Sequence, residues 1–373
     1  MAAENIGSYK YNRMEEMKEF DESKMGAKGL SDSGITSIPR FFIHSQETLA
    51  DLKPRLKPSQ KPITIPIIDL SNMNSSPPAH RAQIVTQVKE AATTWGFFQV
   101  TNHGVSQSVL DSTIKAIKSF HEKPHETKSP YYKRGKGPGI RYHTNDDLFR
   151  ARAATWHDTL QVFIGSAPHI EEEELPEVCR KEVVEWDVWA RMVAEMVMEL
   201  LSEGLGLEAG KLKELTLSGY RVMLGHYYPW CPQPDLTLGI TSHTDNGGLT
   251  VLLQNQVGGL QVRHGDDWVD VMPVHGGLVI NIGDFLQIVY NGEYKSVQHR
   301  VLANSSKEPR ISIADLFSPS DWQASGSHGP LPELVSPEKP ALYRNFTHRE
   351  VLQLFYDEGL VNKSLVDKFK LVS

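Results

Sequence analysis

Hydrophobic positions along this chain change period several times, and each change predicts a change of element. Residues 80–95 place Ile84, Val88, Ala91, Ala92 and Trp95 at helical spacing. Over 105–124, Val105, Val109, Leu110, Ile114, Ile117 and Phe120 form a second apolar stripe. The longest stripe runs from Trp186 to Leu207 through Trp189, Met192, Val193, Met196, Val197, Leu200, Leu201 and Leu205. All three read as core packing. Shorter β-branched runs read as strands: 63–70, ending at the turn-rich Ser75-Ser76-Pro77-Pro78, and 97–101. From 220 to 318 strand-like runs dominate, and 347–370 returns to a helical pattern that is expected to cover one end of the strand-rich core. Glu171 to Glu174 reads as a helix start, where carboxylates suit the dipole. The pattern divides the chain into an N-terminal arm (1–60), a helix-and-strand region (61–210), a strand-rich core (211–320) and a helical tail (321–373).

Composition narrows the class. With 373 residues, 39% of them hydrophobic, the chain can bury a large core, and its length alone allows two or three domains. Concentration of the chemistry-bearing residues in one strand-rich stretch favours a single catalytic unit. A net charge of −7 argues against a nucleic-acid partner. Cys179 and Cys231 are the only cysteines, which fits a reducing compartment better than a disulfide framework. Residues 1–25 are charge-rich without an apolar segment, so no secretory signal is expected. No run approaches the roughly twenty apolar residues that span a bilayer. A cytoplasmic monomer acting on a small molecule is the expectation.

The candidate chemistry begins at His243-Thr244-Asp245. A strand turns every second side chain to one face, so His243 and Asp245 can bind one ion. Alone, such a triplet is usually a surface loop. His299 supplies the missing ligand, in a run where Val297 and Val301 flank it on the same face. Two imidazoles and one carboxylate on one face of an octahedral ion leave three adjacent positions open, as in non-haem Fe(II) oxygenases, whereas a structural zinc site is closed. Arg310 and Ser312 again share a face. A guanidinium matches a carboxylate with a planar pair of donors and the serine adds another, so a dicarboxylic 2-oxo acid would be held keto-end to metal and carboxylate-end to Arg310. Tyr228 is placed to donate to the same anion. By alternation Ala314 and Leu316 point inward with Arg310 and Ser312, while Ile313 and Asp315 face away. Lys133 to Gly139 resembles a phosphate loop, but no Gly-Lys-Ser/Thr follows and Pro138 removes an amide donor. It is read as a loop bordering the active-site mouth.

The ordered strings Pro66-Ile67-Ile68-Asp69-Leu70, Trp95-Gly96-Phe97-Phe98, Gly225-His226-Tyr227-Tyr228-Pro229, Cys231-Pro232-Gln233-Pro234, His243-Thr244-Asp245, Gly258-Gly259-Leu260-Gln261-Val262, Asn281-Ile282-Gly283-Asp284, His299-Arg300-Val301 and Arg310-Ile311-Ser312 resemble the plant 2-oxoglutarate/Fe(II)-dependent dioxygenases. The segment from Gly29 to Phe42 is most similar to the deacetoxyvindoline 4-hydroxylase and aminocyclopropane-carboxylate-oxidase-homologue group. This resemblance implies a mainly β fold with flanking helices and a double-stranded β-helix (jelly-roll) core. It implies Fe(II) on His243, Asp245 and His299; 2-oxoglutarate on Tyr228, Arg310 and Ser312; dioxygen as co-substrate; and ascorbate as activator. The implied reaction is hydroxylation or O-demethylation of a plant specialised metabolite such as an alkaloid, flavonoid or benzoxazinoid, with release of succinate and CO2. Leu316 stands where the family often has an aromatic ring, so Leu316 and Phe317 are the expected substrate contacts. Many relatives carry asparagine at the position of His226 and arginine at that of His157. His226 is read as structural. The His157-Asp158 pair is read as no second metal site, because strand neighbours point to opposite faces. Two rivals remain: an ethylene-forming aminocyclopropane-carboxylate oxidase, and a catalytically silent binding protein on the same scaffold.

Overall fold

A computed structural model describes residues 11–52, 63–73, 78–135, 139–165, 170–215, 218–319, 326–347, 349–351, 353–354 and 364–371. Its strands are β1 (Ile67–Asp69), β2 (Phe97–Thr101), β3 (Ile140–His143), β4 (Asp158–Ile164), β5 (Tyr220–Tyr228), β6 (Leu238–His243), β7 (Leu249–Gln254), β8 (Leu260–His264), β9 (Asp267–Asp270), β10 (Leu278–Ile282), β11 (His299–Leu302) and β12 (Arg310–Ser318). These twelve build two sheets. The larger has the order β1-β2-β10-β7-β12-β5-β4-β3, and the smaller β6-β11-β8-β9; a separate two-stranded sheet pairs Ser327–His328 with Phe346–Thr347. This is the expected jelly-roll core with flanking helices.

Alternation along the strands sorts side chains between two packing layers. Behind the large sheet, Ile311, Ile313 and Phe317 of β12 join Trp186, Val193, Val197 and Leu201 of the helix Arg180–Gly204 and Ile117 and Phe120 of the helix Gln107–His121. Between the sheets, Ala314, Leu252, Val279, Val262, Val269 and Val301 form a second, smaller core. Burying such side chains is worth roughly 1.5–3 kcal/mol each.

The arm is docked on the core through its own apolar residues. Met17, Phe20, Phe41 and Phe42 pack with Trp156, and the rings of Phe42 and Trp156 meet edge-on at 4.9 Å. Asp158, fully buried, accepts hydrogen bonds from the amides of Ala27 (2.8 Å) and Lys28 (2.9 Å) at the start of the helix Gly26–Asp32. Only glycine fits at 26, since its φ is +72° and a Cβ there would stand 2.5 Å from the Asp158 carboxylate.

Several expected elements differ. The strand expected over 63–70 shortens to Ile67–Asp69, because Pro66 has no amide to give a ladder. The strand expected before His299 begins only at that residue. Glu172–Glu174 is a single 3-10 turn, and the long helix starts at Arg180. Residues 348, 352 and 355–363 of the expected tail helix lie outside the described residues, as do 136–138 of the loop; within the tail, 349–351, 353–354 and Leu365–Phe369 are helical.

Candidate active site

The end of β6 and the start of β11 pair in antiparallel register with His299 opposite His243, which brings the two imidazoles to a centroid distance of 4.2 Å. Each ring turns Nδ1 to a backbone carbonyl, His243 to Thr241 at 2.8 Å and His299 to Val297 at 3.4 Å. That fixes the tautomer in which Nε2 carries the lone pair. Both Nε2 atoms converge on Asp245 Oδ1, at 3.7 Å from His243 and 3.6 Å from His299. The three ligand atoms lie within 4.8 Å of one another, the spacing of donors around one ion.

Asp245 does not share a strand with His243, as the period-two reading required. The strand ends at His243, and Asp245 stands just past it. Its orientation comes from the other sheet: Thr250 of β7 and Asn281 of β10 donate to Oδ2 at 2.5 and 2.8 Å, leaving Oδ1 for the imidazoles. Burial pushes this carboxyl up, but the imidazoles, Thr250 and Asn281 together hold it below its ordinary value. Burial and neighbouring His243 push His299 down to about 4, so its ring is neutral near pH 7. The intervening Thr244 hydroxyl donates to Asp284 at 3.1 Å. That buried carboxylate also accepts from Ser364 and the Leu365 amide, tying the tail helix to the ligand loop. A Cβ at Gly283 would lie 2.1 Å from the Gly247 carbonyl, so this close approach requires glycine.

Across the cavity, the large sheet presents a cation. Arg310, 1% exposed, donates from Nη1 to Ser312 (3.0 Å) and from Nη2 to Gln254 (2.9 Å), with its guanidinium 4.8 Å from the centre of the Tyr228 ring. The Tyr228 hydroxyl faces Ser312 and Arg310. Among the described residues no carboxylate pairs with Arg310, and burial pulls its pKa down.

One cavity of about 2030 Å³ joins the two ends. Ala314 and Leu316 line it, as alternation predicts. Phe317 does not: it sits on the opposite face of β12, wholly buried in the core behind the sheet, and is no substrate contact. His226 and His157, expected to be structural or core residues, both line the cavity, their rings 5.4 Å apart. Asp158 faces the other way, toward the arm. Thr250 and Gln254 were not singled out by the sequence, because each acts across a sheet pairing. Asp284 stands only within the family string from Asn281, with no role given to it.

Residues 220–319 match the model of the 2OG-Fe(II) oxygenase superfamily, and residues 65–178 match that of the N-terminal region of the non-haem dioxygenases in morphine synthesis. The chain is 43% identical over 358 residues to 1-aminocyclopropane-1-carboxylate oxidase homolog 12 of Arabidopsis thaliana, covering 95% of this chain and 96% of the relative. With homolog 11 of the same plant it shares 44% over 367 residues, covering 98% and 99%. The crystal structure of JOX2 in complex with 2OG, Fe and JA is similar at a TM-score of 0.78 and 30% identity, covering 93% of this chain and 98% of that one. The 2-oxoglutarate complex of a dioxygenase for auxin oxidation from Arabidopsis thaliana aligns at a TM-score of 0.61 and 27% identity, covering 74% and 100%.

Proposed function

Since this chain belongs to the 2OG-Fe(II) oxygenase superfamily, we propose that it hydroxylates or oxidatively O-demethylates a small plant specialised metabolite in a reaction that consumes 2-oxoglutarate and dioxygen. Fe(II) and 2-oxoglutarate are its cofactor and co-substrate. His243, Asp245 and His299 hold the metal; Arg310, Ser312 and Tyr228 hold the far carboxylate of 2-oxoglutarate; Leu316 faces the organic substrate. The donor set fits the ion, with two imidazole nitrogens and one carboxylate oxygen converging and the other Asp245 oxygen already occupied. When bound, this pair supplies oxidative decarboxylation to succinate and CO2 coupled to oxidation of a C–H bond.

The protein's share is orientation and exclusion of water. Thr250 and Asn281 fix Asp245, the Thr241 and Val297 carbonyls fix the imidazoles, and Gln254 and Ser312 aim the Arg310 fork. One observation carries the reading: a fully buried arginine with no acid partner among the described residues lines the same cavity as a His-Asp-His cluster. A buried unpaired cation is costly unless an anion completes it. A bound dicarboxylate does so.

The test is succinate release with Fe(II) and 2-oxoglutarate across a metabolite panel, with the product mass measured. Gain of one oxygen atom reports hydroxylation, and loss of one CH2 reports demethylation. Ethylene formed from aminocyclopropane carboxylate without 2-oxoglutarate would identify the rival oxidase instead. Substrate binding with no succinate under any condition would identify a silent binding protein.

A further inference from the structure

The cavity is larger than the roughly 300–1,000 Å³ that a single drug-sized ligand occupies. The added room lies against β3, β4 and β5, where register places cavity-facing side chains in cross-strand rows. Ser312, His226, Thr159 and His143 form one row, each opposite the next. Leu224 stands opposite Gln161 in the next row, and Val222 opposite both Leu316 and Phe163 beyond it. A polar row thus borders an apolar floor of Val222, Leu224 and Leu316, all lining the cavity.

Two of the polar groups are held in place by a neighbour and keep a second hydrogen-bonding function. His226 Nδ1 lies 2.9 Å from the Thr159 hydroxyl. Its Nε2 has no hydrogen-bond partner among the described residues, yet is absent from the solvent-shielded unpartnered atoms, so it opens on the cavity. Gln161 accepts from His143 Nε2 at 3.2 Å through Oε1, which leaves its amide N–H groups for the cavity. Burial first, then the nearby His157 and Arg310, pushes the His226 ring well below its ordinary pKa, so this wall presents an uncharged imidazole and an amide. Arg141 stands opposite Gln161 in the same cross-strand row and also lines the cavity, donating to the Gly135 carbonyl and lying over the Phe163 ring, so a guanidinium borders the imidazole and the amide. Arg300 and Arg263 pair with Asp51.

We infer that His226 and Gln161 form a substrate subsite that reads a hydroxyl or carbonyl group on a largely apolar small molecule, with its ring system on Val222, Leu224 and Leu316. This rests on the proposed oxygenase reading, and it narrows that reading to oxygen-bearing substrates. A hydrocarbon would leave the imidazole and the amide unpaired.

The experiment uses the full chain loaded with Fe(II) and 2-oxoglutarate under anaerobic conditions, titrated with naphthol and methylnaphthalene. Loading is verified first on the wild type, so failure to take up metal and 2-oxoglutarate refutes the oxygenase reading and not the subsite. Naphthol is expected to bind roughly tenfold or more tightly than methylnaphthalene, the scale of one hydrogen bond. Gln161→Leu and His226→Phe are each expected to bring naphthol to the affinity of methylnaphthalene, while His226→Asn retains most of the preference. Unfolding midpoints establish that each variant is folded. An unaltered preference in both apolar variants, or no binding of naphthol, would overturn the inference.

Discussion

Replacing Arg310 by leucine tests the anchor with a magnitude that the structure supplies. The guanidinium is enclosed by Tyr228, Ser312 and Gln254 and meets no acid among the described residues, so its fork is oriented before any ligand arrives. A hydrogen bond to a charged group contributes about 1.5–3 kcal/mol, which predicts a rise of roughly 10–150-fold in the 2-oxoglutarate requirement. Arg310→Lys keeps the charge but loses the planar fork and the stacking on Tyr228, and is expected to fall between. Succinate formation measured against 2-oxoglutarate concentration separates the terms: KM for 2-oxoglutarate rises, while kcat at saturation changes far less. Stability of the ligand-free protein provides the control. Removing an unpaired buried cation removes a desolvation cost, so Arg310→Leu is expected to unfold at an equal or higher denaturant concentration than the wild type. An unchanged 2-oxoglutarate requirement in a folded variant would place the anion elsewhere and refute the reasoning.

Other perturbations probe the remaining links. Asp245→Ala removes the oxygen on which both imidazoles converge and is expected to abolish Fe(II)-dependent turnover; near-normal succinate release would refute the triad. Asp158→Ala strands the buried amide of Ala27 and that of Lys28, at about 1–3 kcal/mol each, so denaturant unfolding should show a loss of several kcal/mol, and a change below about 0.5 kcal/mol would mean the arm docks without this contact. Burial pushes Asp315 up to about 8, with one oxygen bonded to Trp186. The folded state then keeps a proton that the unfolded chain loses near pH 4, so the stability this group contributes is complete below about pH 4 and is lost as pH rises through 8. Asp315→Asn should flatten that loss by up to about 1.4 kcal/mol per pH unit in this window, and parallel pH–stability curves for the two proteins would contradict the assignment. Leu316→Phe narrows the cavity and is expected to change substrate preference more than 2-oxoglutarate consumption; equal effects would remove Leu316 from the pocket.

Much of the fold was legible because its signals are local. The stripe through Val109, Ile117 and Phe120 and that through Val193, Val197 and Leu201 depend only on helical period, and both helices pack on the large sheet as those stripes direct. Alternation placed Arg310, Ser312, Ala314 and Leu316 on one face of β12 and Ile313 and Asp315 on the other. The same rule, followed strictly, also excludes Phe317 from the cavity, so the expectation of stacking there conflicted with the period that defined the face. Boundaries were less legible where a strand starts late, at Ile67 after Pro66, which has no amide for a ladder, and at His299.

The site shows where local reasoning stops. A period of two says which residues of one strand share a face, but not which strands face each other across a cavity. Thr250 and Gln254 sit in an apolar strand whose sequence reads as plain core, yet one orients Asp245 and the other Arg310, because β7 lies between β10 and β12 in the large sheet. His226 and His157 are separated in the chain by most of a helical region, and only the pairing of β4 with β5 brings them to one wall. Each was judged singly, and singly a buried histidine is more often structural. Their significance is a property of the pairing: the two rings converge on one wall of the cavity that Arg310 also lines.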